Sequence, residues 1–202
     1  AIGWVGGEVL VTRLDRSARH EVVDWYDAAS RERLGTTPVA YPIGAWLTHG
    51  PTVFGCEPAG LAAVVWLDQT EAGVELLRRG PDGWSQVKGW GHVDGSNYIE
   101  EAVFSGDARF LALPYGNPRD GWWEHTRDGT ADCGMVVLIE LTDGARGFID
   151  LRASIAEGWE PDPKRSPAPI IRAFPGAERI EIELQTAEIV TQPVDRAAFK
   201  AR

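Results

Sequence analysis

Phe104-Ser105-Gly106-Asp107-Ala108-Arg109-Phe110-Leu111-Ala112-Leu113 is preceded by Trp90-Gly91-His92. After a long insert it is followed by Val136-Val137-Leu138-Ile139-Glu140-Leu141-Thr142-Asp143-Gly144-Ala145-Arg146-Gly147-Phe148-Ile149. Each piece is a run of apolar and β-branched residues bounded by Ser-Gly-Asp or Thr-Asp-Gly, residues that accept the dihedrals of tight turns. This is the spelling of β-hairpins. Outward from it the same spelling recurs. Gly80-Pro81-Asp82-Gly83 is a turn between apolar runs at 73–78 and 84–90, and residues 61–67 are almost continuously apolar. Ile180-Glu181-Ile182-Glu183-Leu184 alternates strictly, which puts apolar side chains on one face and carboxylates on the other, and residues 187–191 are expected to pair with it. Residues 8–14 read as a strand entering a polar turn. Residues 20–34 have helical spacing at Val22, Trp25, Tyr26 and Ala29, yet also read as a hairpin with its turn at 28–31, and the hairpin is favoured.

The stretch from 90 to 152 resembles one blade of a WD-repeat β-propeller: Gly91-His92, a strand spelled Val103-Phe104-Ser105 through Leu113, then a hairpin spelled Val136-Val137-Leu138 through Gly144. The resemblance implies that His92 is the structural histidine of the blade and that Asp107 sits in the family's turn. Ile139-Glu140 stands where the family has Trp-Asp, so no tryptophan network is expected there. Three segments, beginning at Val22, Val64 and Val136, look like weak copies of one another. The first two begin 42 residues apart and the third 72 further on, with the excess placed in the insert 114–134. A chain of 202 residues holds about four blades, the low end for closing a ring. The expected fold is all-β, a propeller-like or related multistranded antiparallel sheet assembly. It forms one domain over 1–202 with an irregular insert at 114–134 and a Pro-rich connector at 157–169.

Composition narrows the function. The length suffices for a sizeable core without disulfides or metals. A formal charge of −10 opposes binding to phosphate backbones or anionic lipid, so neither nucleic acid nor membrane is expected as a partner. An acidic surface suits a basic protein partner, and also serves solubility. No run approaches the length of a membrane span, and the first residues lack a basic region followed by an apolar stretch. A cytoplasmic location is expected, with a leader removed before Ala1 left open. Cys56 and Cys133 lie outside any Cys-x-x-Cys pattern and are read as small, at least partly buried residues, with a long-range disulfide as the alternative.

Catalytic motifs are absent from the sequence: no Gly-x-Ser-x-Gly elbow, no His-Glu-x-x-His pair, no phosphate-cradling loop and no dinucleotide fingerprint. No cofactor is expected. The densest polar cluster is Trp122-Trp123-Glu124-His125-Thr126-Arg127-Asp128-Gly129-Thr130-Ala131-Asp132-Cys133. Its spacing fits neither a zinc nor a calcium site, so no metal is expected. Tryptophans in Gly-rich loops are the type of residue that anchors protein interfaces. Trp122, Trp123, Glu124, His125, Asp128 and Asp132 are therefore the expected binding residues. The functional expectation is a non-catalytic protein-binding module, specifically an acidic stoichiometric inhibitor such as an immunity protein of a toxin. The alternative is a carbohydrate-binding or glycoside-hydrolysing domain that stacks sugars on these rings, with Glu100 or Glu101 as one of a carboxylate pair.

Overall fold

The computed structural model describes residues 2–15, 20–39, 49–67, 72–93, 101–115, 135–151, 154, 169–184 and 186–200. The chain divides into two compact units, Ala1–Gly95 and Ser96–Arg202. In the first unit, β1 (Ile2–Val5), β2 (Glu8–Asp15), β3 (His20–Asp27) and β4 (Arg33–Val39) form one sheet in sequence order. A second sheet follows with β5 (His49–Cys56), β6 (Leu61–Leu67), β7 (Ala72–Gly80) and β8 (Gly83–Val93). The second unit holds a third sheet of β9 (Val103–Phe104), β10 (Phe110–Tyr115), β11 (Met135–Glu140) and β12 (Arg146–Asp150). Its fourth sheet is β13 (Ile170–Gly176), β14 (Arg179–Glu183) and β15 (Ile189–Pro193). Every pairing is antiparallel between sequence neighbours, which is the meander of a propeller blade.

Local chemistry sets the tips. Gly80 pairs with Gly83, whose φ of 116° is closed to other residues without strain. At the β11–β12 tip Gly144 has φ 77° and Asp143 accepts the Ala145 N–H at 2.7 Å. Both turns fall where the sequence placed them. Asp27 accepts the N–H groups of Ala29 and Ser30, so residues 28–31 are the β3–β4 turn and the hairpin reading of 20–34 holds.

Two cores result. In the first unit Val5, Leu10, Val23, Trp25 and Val39 of the first sheet pack on Val53, Ala62, Val64, Leu77 and Trp84 of the second. The approach is close enough that a Cβ on Gly3 would meet Val53 at 2.7 Å. In the second unit Phe110, Ala112, Val136, Leu138 and Ile149 of the third sheet pack on Ile171, Ile180 and Ile182 of the fourth. Each of the first three sheets also buries one carboxylate on its third strand: Asp24, Glu75 and Glu140. Asp24 is gripped by Arg13 at 2.5 Å and by the Thr36 hydroxyl, and Glu140 by Arg109 at 3.2 Å and by Arg196. Glu75 receives hydrogen bonds from the Gln86 amide and the Trp66 indole, with no cation beside it among the described residues.

Some details differ from the sequence reading. Val22 and Val136 lie in third strands, but Val64 lies in a second strand, so the interval of 42 residues joined unlike positions. Trp90-Gly91-His92 belongs to β8, the last strand of the second sheet. Regular pairing also persists through Pro114 and Tyr115, so β10 takes the first two residues assigned to the insert. No helix among the described residues is long and apolar enough to cross a membrane.

Candidate functional site

A meander of four strands sends its first and third turns to the same end of the sheet. In the first unit these turns frame an open cleft of about 380 Å³, floored by Val5-Gly6-Gly7 and edged by Glu8, Asp27, Glu57, Arg79 and Trp84. Glu8, leading β2, accepts two hydrogen bonds from Arg79 at 2.7 and 3.1 Å and one from the Trp84 indole at 2.6 Å. The Asp27 carboxyl is held below the usual range, chiefly by the Ser30 backbone N–H, so it is ionised and committed to its own turn. Glu57 is exposed, and its carboxylate has no hydrogen-bond or ion-pair partner among the described residues. Its carboxylate lies over Gly6, whose Cβ would sit 3.6 Å from Glu57 Oε1.

The second unit has a counterpart, an open cleft of about 540 Å³ between the β9–β10 turn and the β13–β14 turn, lined by Asp107, Arg109, Glu178, Arg179 and backbone at 175–177. Ser105, fully buried, donates its hydroxyl to Asp107 at 2.6 Å and accepts the N–H groups of Arg109 and Phe110 at 3.1 and 2.9 Å. Gly106 donates to the Phe174 carbonyl at 2.8 Å, which clamps one turn to the other. Burial pushes the Asp107 carboxyl upward, but the Ser105 hydroxyl and the N–H groups of Arg109 and Ala177 outweigh it and hold the group below its ordinary value.

These clefts can recognise, by charge and hydrogen bonding, but most of their polar groups already complete one another. No group of three His, Cys, Asp or Glu side chains able to hold a metal occurs among the described residues. Glu101 accepts the Ile171 backbone N–H at 2.7 Å and so fastens β13; Glu100 lies outside the described residues. Cys56 is a free, half-buried thiol, and Cys133 lies outside the described residues. Trp25, Trp66, Trp84 and Trp90 are core residues, as strand tryptophans are expected to be, whereas Trp4 is 65 % exposed.

The expected binding residues Trp122, Trp123, Glu124, His125, Asp128 and Asp132 all lie outside the described residues. The strands flanking them are described. The chain leaves β10 at Tyr115 and rejoins β11 at Met135, which are register partners at the end of the third sheet away from its Ser105–Arg109 and Leu141–Ala145 turns. The Glu8–Arg79–Trp84 triad was missed by sequence reading, because Glu8 lies more than seventy residues from Arg79 and Trp84 and shares no local pattern with them. The Ser105-x-Asp107-x-Arg109 turn did carry a local signal.

No protein-family model matches the chain. No curated protein matches it in sequence. Solved structures do. The β-propeller domain of Cps50 (Swd1) from Myceliophteria thermophila is similar over 94 % of this chain and 51 % of that one, with a TM-score of 0.54 at 12 % identity. Dihydro-heme d1 dehydrogenase NirN in complex with DHE aligns over 94 % of this chain and 36 % of its own, at 20 % identity and a TM-score of 0.47. The Dos1 propeller aligns over 93 % and 50 %, at 10 % identity and 0.42. The first of these likenesses bears on the fold, and this chain spans about half the length of that propeller domain. Four consecutive antiparallel meanders and this likeness together show a β-propeller-like fold.

Proposed function

We propose that the chain is a non-catalytic protein-binding module acting in the cytoplasm as an acidic stoichiometric inhibitor, such as an immunity protein that neutralises a basic toxin. The observation that carries this reading is where the long 116–134 connection is anchored. It springs from two adjacent strands in register from Phe110 and Glu140 to Tyr115 and Met135, whose other end is tied down by Ser105, Asp107 and Asp143. A long loop on a rigid sheet is the common placement of recognition residues. This one carries Trp122 and Trp123 amid Glu124, His125, Asp128 and Asp132, in a chain of net charge −10. The rings supply anchoring area and the carboxylates steer a basic surface.

The test is recovery of a partner by pull-down from the native host, followed by affinity measurements on Trp122→Ala, Trp123→Ala and Asp128→Asn. Loss of one anchoring ring is expected to weaken binding by about 30-fold or more, and Asp128→Asn by less. Affinity should fall with added salt. Unchanged affinity in both tryptophan variants would refute the assignment. Selective binding on a glycan array that both tryptophan variants lose would install the carbohydrate reading instead.

A further inference from the structure

The sheets follow one stacking rule. In each unit, one sheet turns its forward face to the rear face of the next: Leu10 and Val23 onto Ala62 and Val64, and Ala112 and Leu138 onto Ile180 and Ile182. All four of those rear-face positions are 0 % exposed. Their counterparts on the rear of the first sheet are Val9 and Val11 of β2, paired with Trp4 and Ile2 of β1 and with Tyr26 and Asp24 of β3. On that face Val22 and Asp24 are buried, but the apolar side chains of β1 and β2 are not fully covered. Ile2 and Trp4 are 63 % and 65 % exposed, and Val9, Val11 and Tyr26 only half-buried. The fourth sheet also leaves apolar side chains uncovered, among the carboxylates of its other face. Its forward face carries Ile170 and Ile189 in register with Glu183, and Thr191 in register with Glu181, and Ile189 is 59 % exposed.

Each open face mixes apolar and charged side chains. The rear of the first sheet presents apolar side chains beside two exposed guanidiniums, Arg13 and Arg33, which share the single buried carboxylate Asp24. The forward face of the fourth sheet presents Ile170 and Ile189 beside Glu181, whose side chain has no partner among the described residues, Glu183, which is paired with Arg172, and the exposed Arg179. The chain spans 51 % of the Cps50 propeller domain, so one copy supplies about half of the sheets in such an assembly. We propose that the rear face of the first sheet is a docking surface for a second copy of this chain, which covers Ile2, Trp4, Val9 and Val11 with the forward face of its fourth sheet. The contact is heterologous, a different patch from each copy, and repeats the joint already made twice within the chain.

Sedimentation of the purified chain across a wide concentration range tests this, with circular dichroism melts showing that each variant is folded. The wild type should sediment as a multiple of the 22.1 kDa protomer. Trp4→Glu and Ile189→Glu, both at exposed positions, should each remain monomeric at concentrations at least about tenfold above the wild-type association midpoint. Mixing the two variants should restore a one-to-one pair, because each retains the face that the other lacks. A wild type that is monomeric throughout overturns the proposal, leaving the face to a different protein. Association that survives Ile189→Glu but not Trp4→Glu, or a mixture that stays monomeric, also overturns it by pointing to an apolar face docking on its own copy.

Discussion

Gly89 of β8 leaves the space that the carboxylate of its register partner Glu75 fills: a Cβ built on Gly89 would collide with Glu75 Oε2. Glu75 is 3 % exposed on the face of the second sheet that meets the first, between Val64 of β6 and Gly89. Asp24 and Glu140 have arginines. Glu75 has a tryptophan indole and a glutamine amide, and burial pushes its carboxyl up to about 7 against the pull of the Trp66 N–H.

Stability should therefore vary with pH in a direction opposite to that of ordinary carboxylates. The folded state holds the Glu75 proton more tightly than the unfolded chain, whose value is near 4.5, so stability falls as pH rises from about 4.5 to about 7 and then levels off. The ionised group costs about 3 kcal/mol at pH 8 on this account. Glu75→Gln should raise stability at pH 8 and flatten the slope, as read from urea melts at pH 5.5, 7 and 8.5. Parallel pH dependence in the variant and the wild type would remove Glu75 from the explanation.

Gly89→Ala should cost about 2 kcal/mol, because the added methyl must displace a buried carboxylate rather than a flexible surface chain. The double variant Gly89→Ala with Glu75→Ala should recover part of that loss. Additive losses would show that the two sites do not share the space.

Asp24 behaves in the opposite sense. Burial pushes its carboxyl up, but hydrogen bonds from Arg13 and Thr36 and the charges of Arg13 and Arg33 hold it below 3.8. Its contribution is present above that value and is lost as pH falls through the depressed one. Asp24→Asn should cost about 1 to 2 kcal/mol at pH 7, since the buried acceptor loses its charge-assisted hydrogen bonds from Arg13 and Thr36. The gap between variant and wild type should narrow in acid, measured by urea melts at pH 7 and pH 3.

Glu8→Ala strands the Trp84 N–H inside the first unit and frees Arg79, with an expected cost of about 2 kcal/mol. Glu8→Gln, which keeps an acceptor for Trp84, should lose roughly half as much. Equal losses would assign the effect to the ion pair with Arg79 instead. Trp84 fluorescence should change in the alanine variant, reporting the loss of its acceptor.

Strands such as β2, β6, β7, β8, β10, β11 and β14 were legible because each is an apolar or alternating run closed by turn residues, whereas β1, β5 and β13, whose apolar residues are interrupted by Gly or Pro, were not read as strands. Gly80-Pro81-Asp82-Gly83 and Thr142-Asp143-Gly144-Ala145 each announce a tip that the backbone then makes. The order of strands within a sheet was harder to read. The second strand β6 and the third strand β11 are both buried on both faces and use the same residues, so Val64-Val65 and Val136-Val137 look alike while holding different places. The real counterpart of Val53-Phe54 and the run beginning at Leu61 is Val103-Phe104 and the run beginning at Phe110, each a first strand followed by a second. The buried carboxylates were not legible at all. Asp24, Glu75 and Glu140 are spelled like surface positions, and what makes them interior is an arginine, hydroxyl, amide or indole from another strand.

Tyr115 and Met135 face each other across a strand pair, which puts the two feet of the intervening connection about 5 Å apart. The cost of closing a loop on such feet grows only with the logarithm of its length, so doubling the connection adds about 0.6 kcal/mol. Its length and composition are therefore nearly free variables for the fold beneath it. Such a chain can change the residues that this connection carries, by exchange or by outright insertion, while the hydrogen-bonded sheet that holds its two ends stays the same.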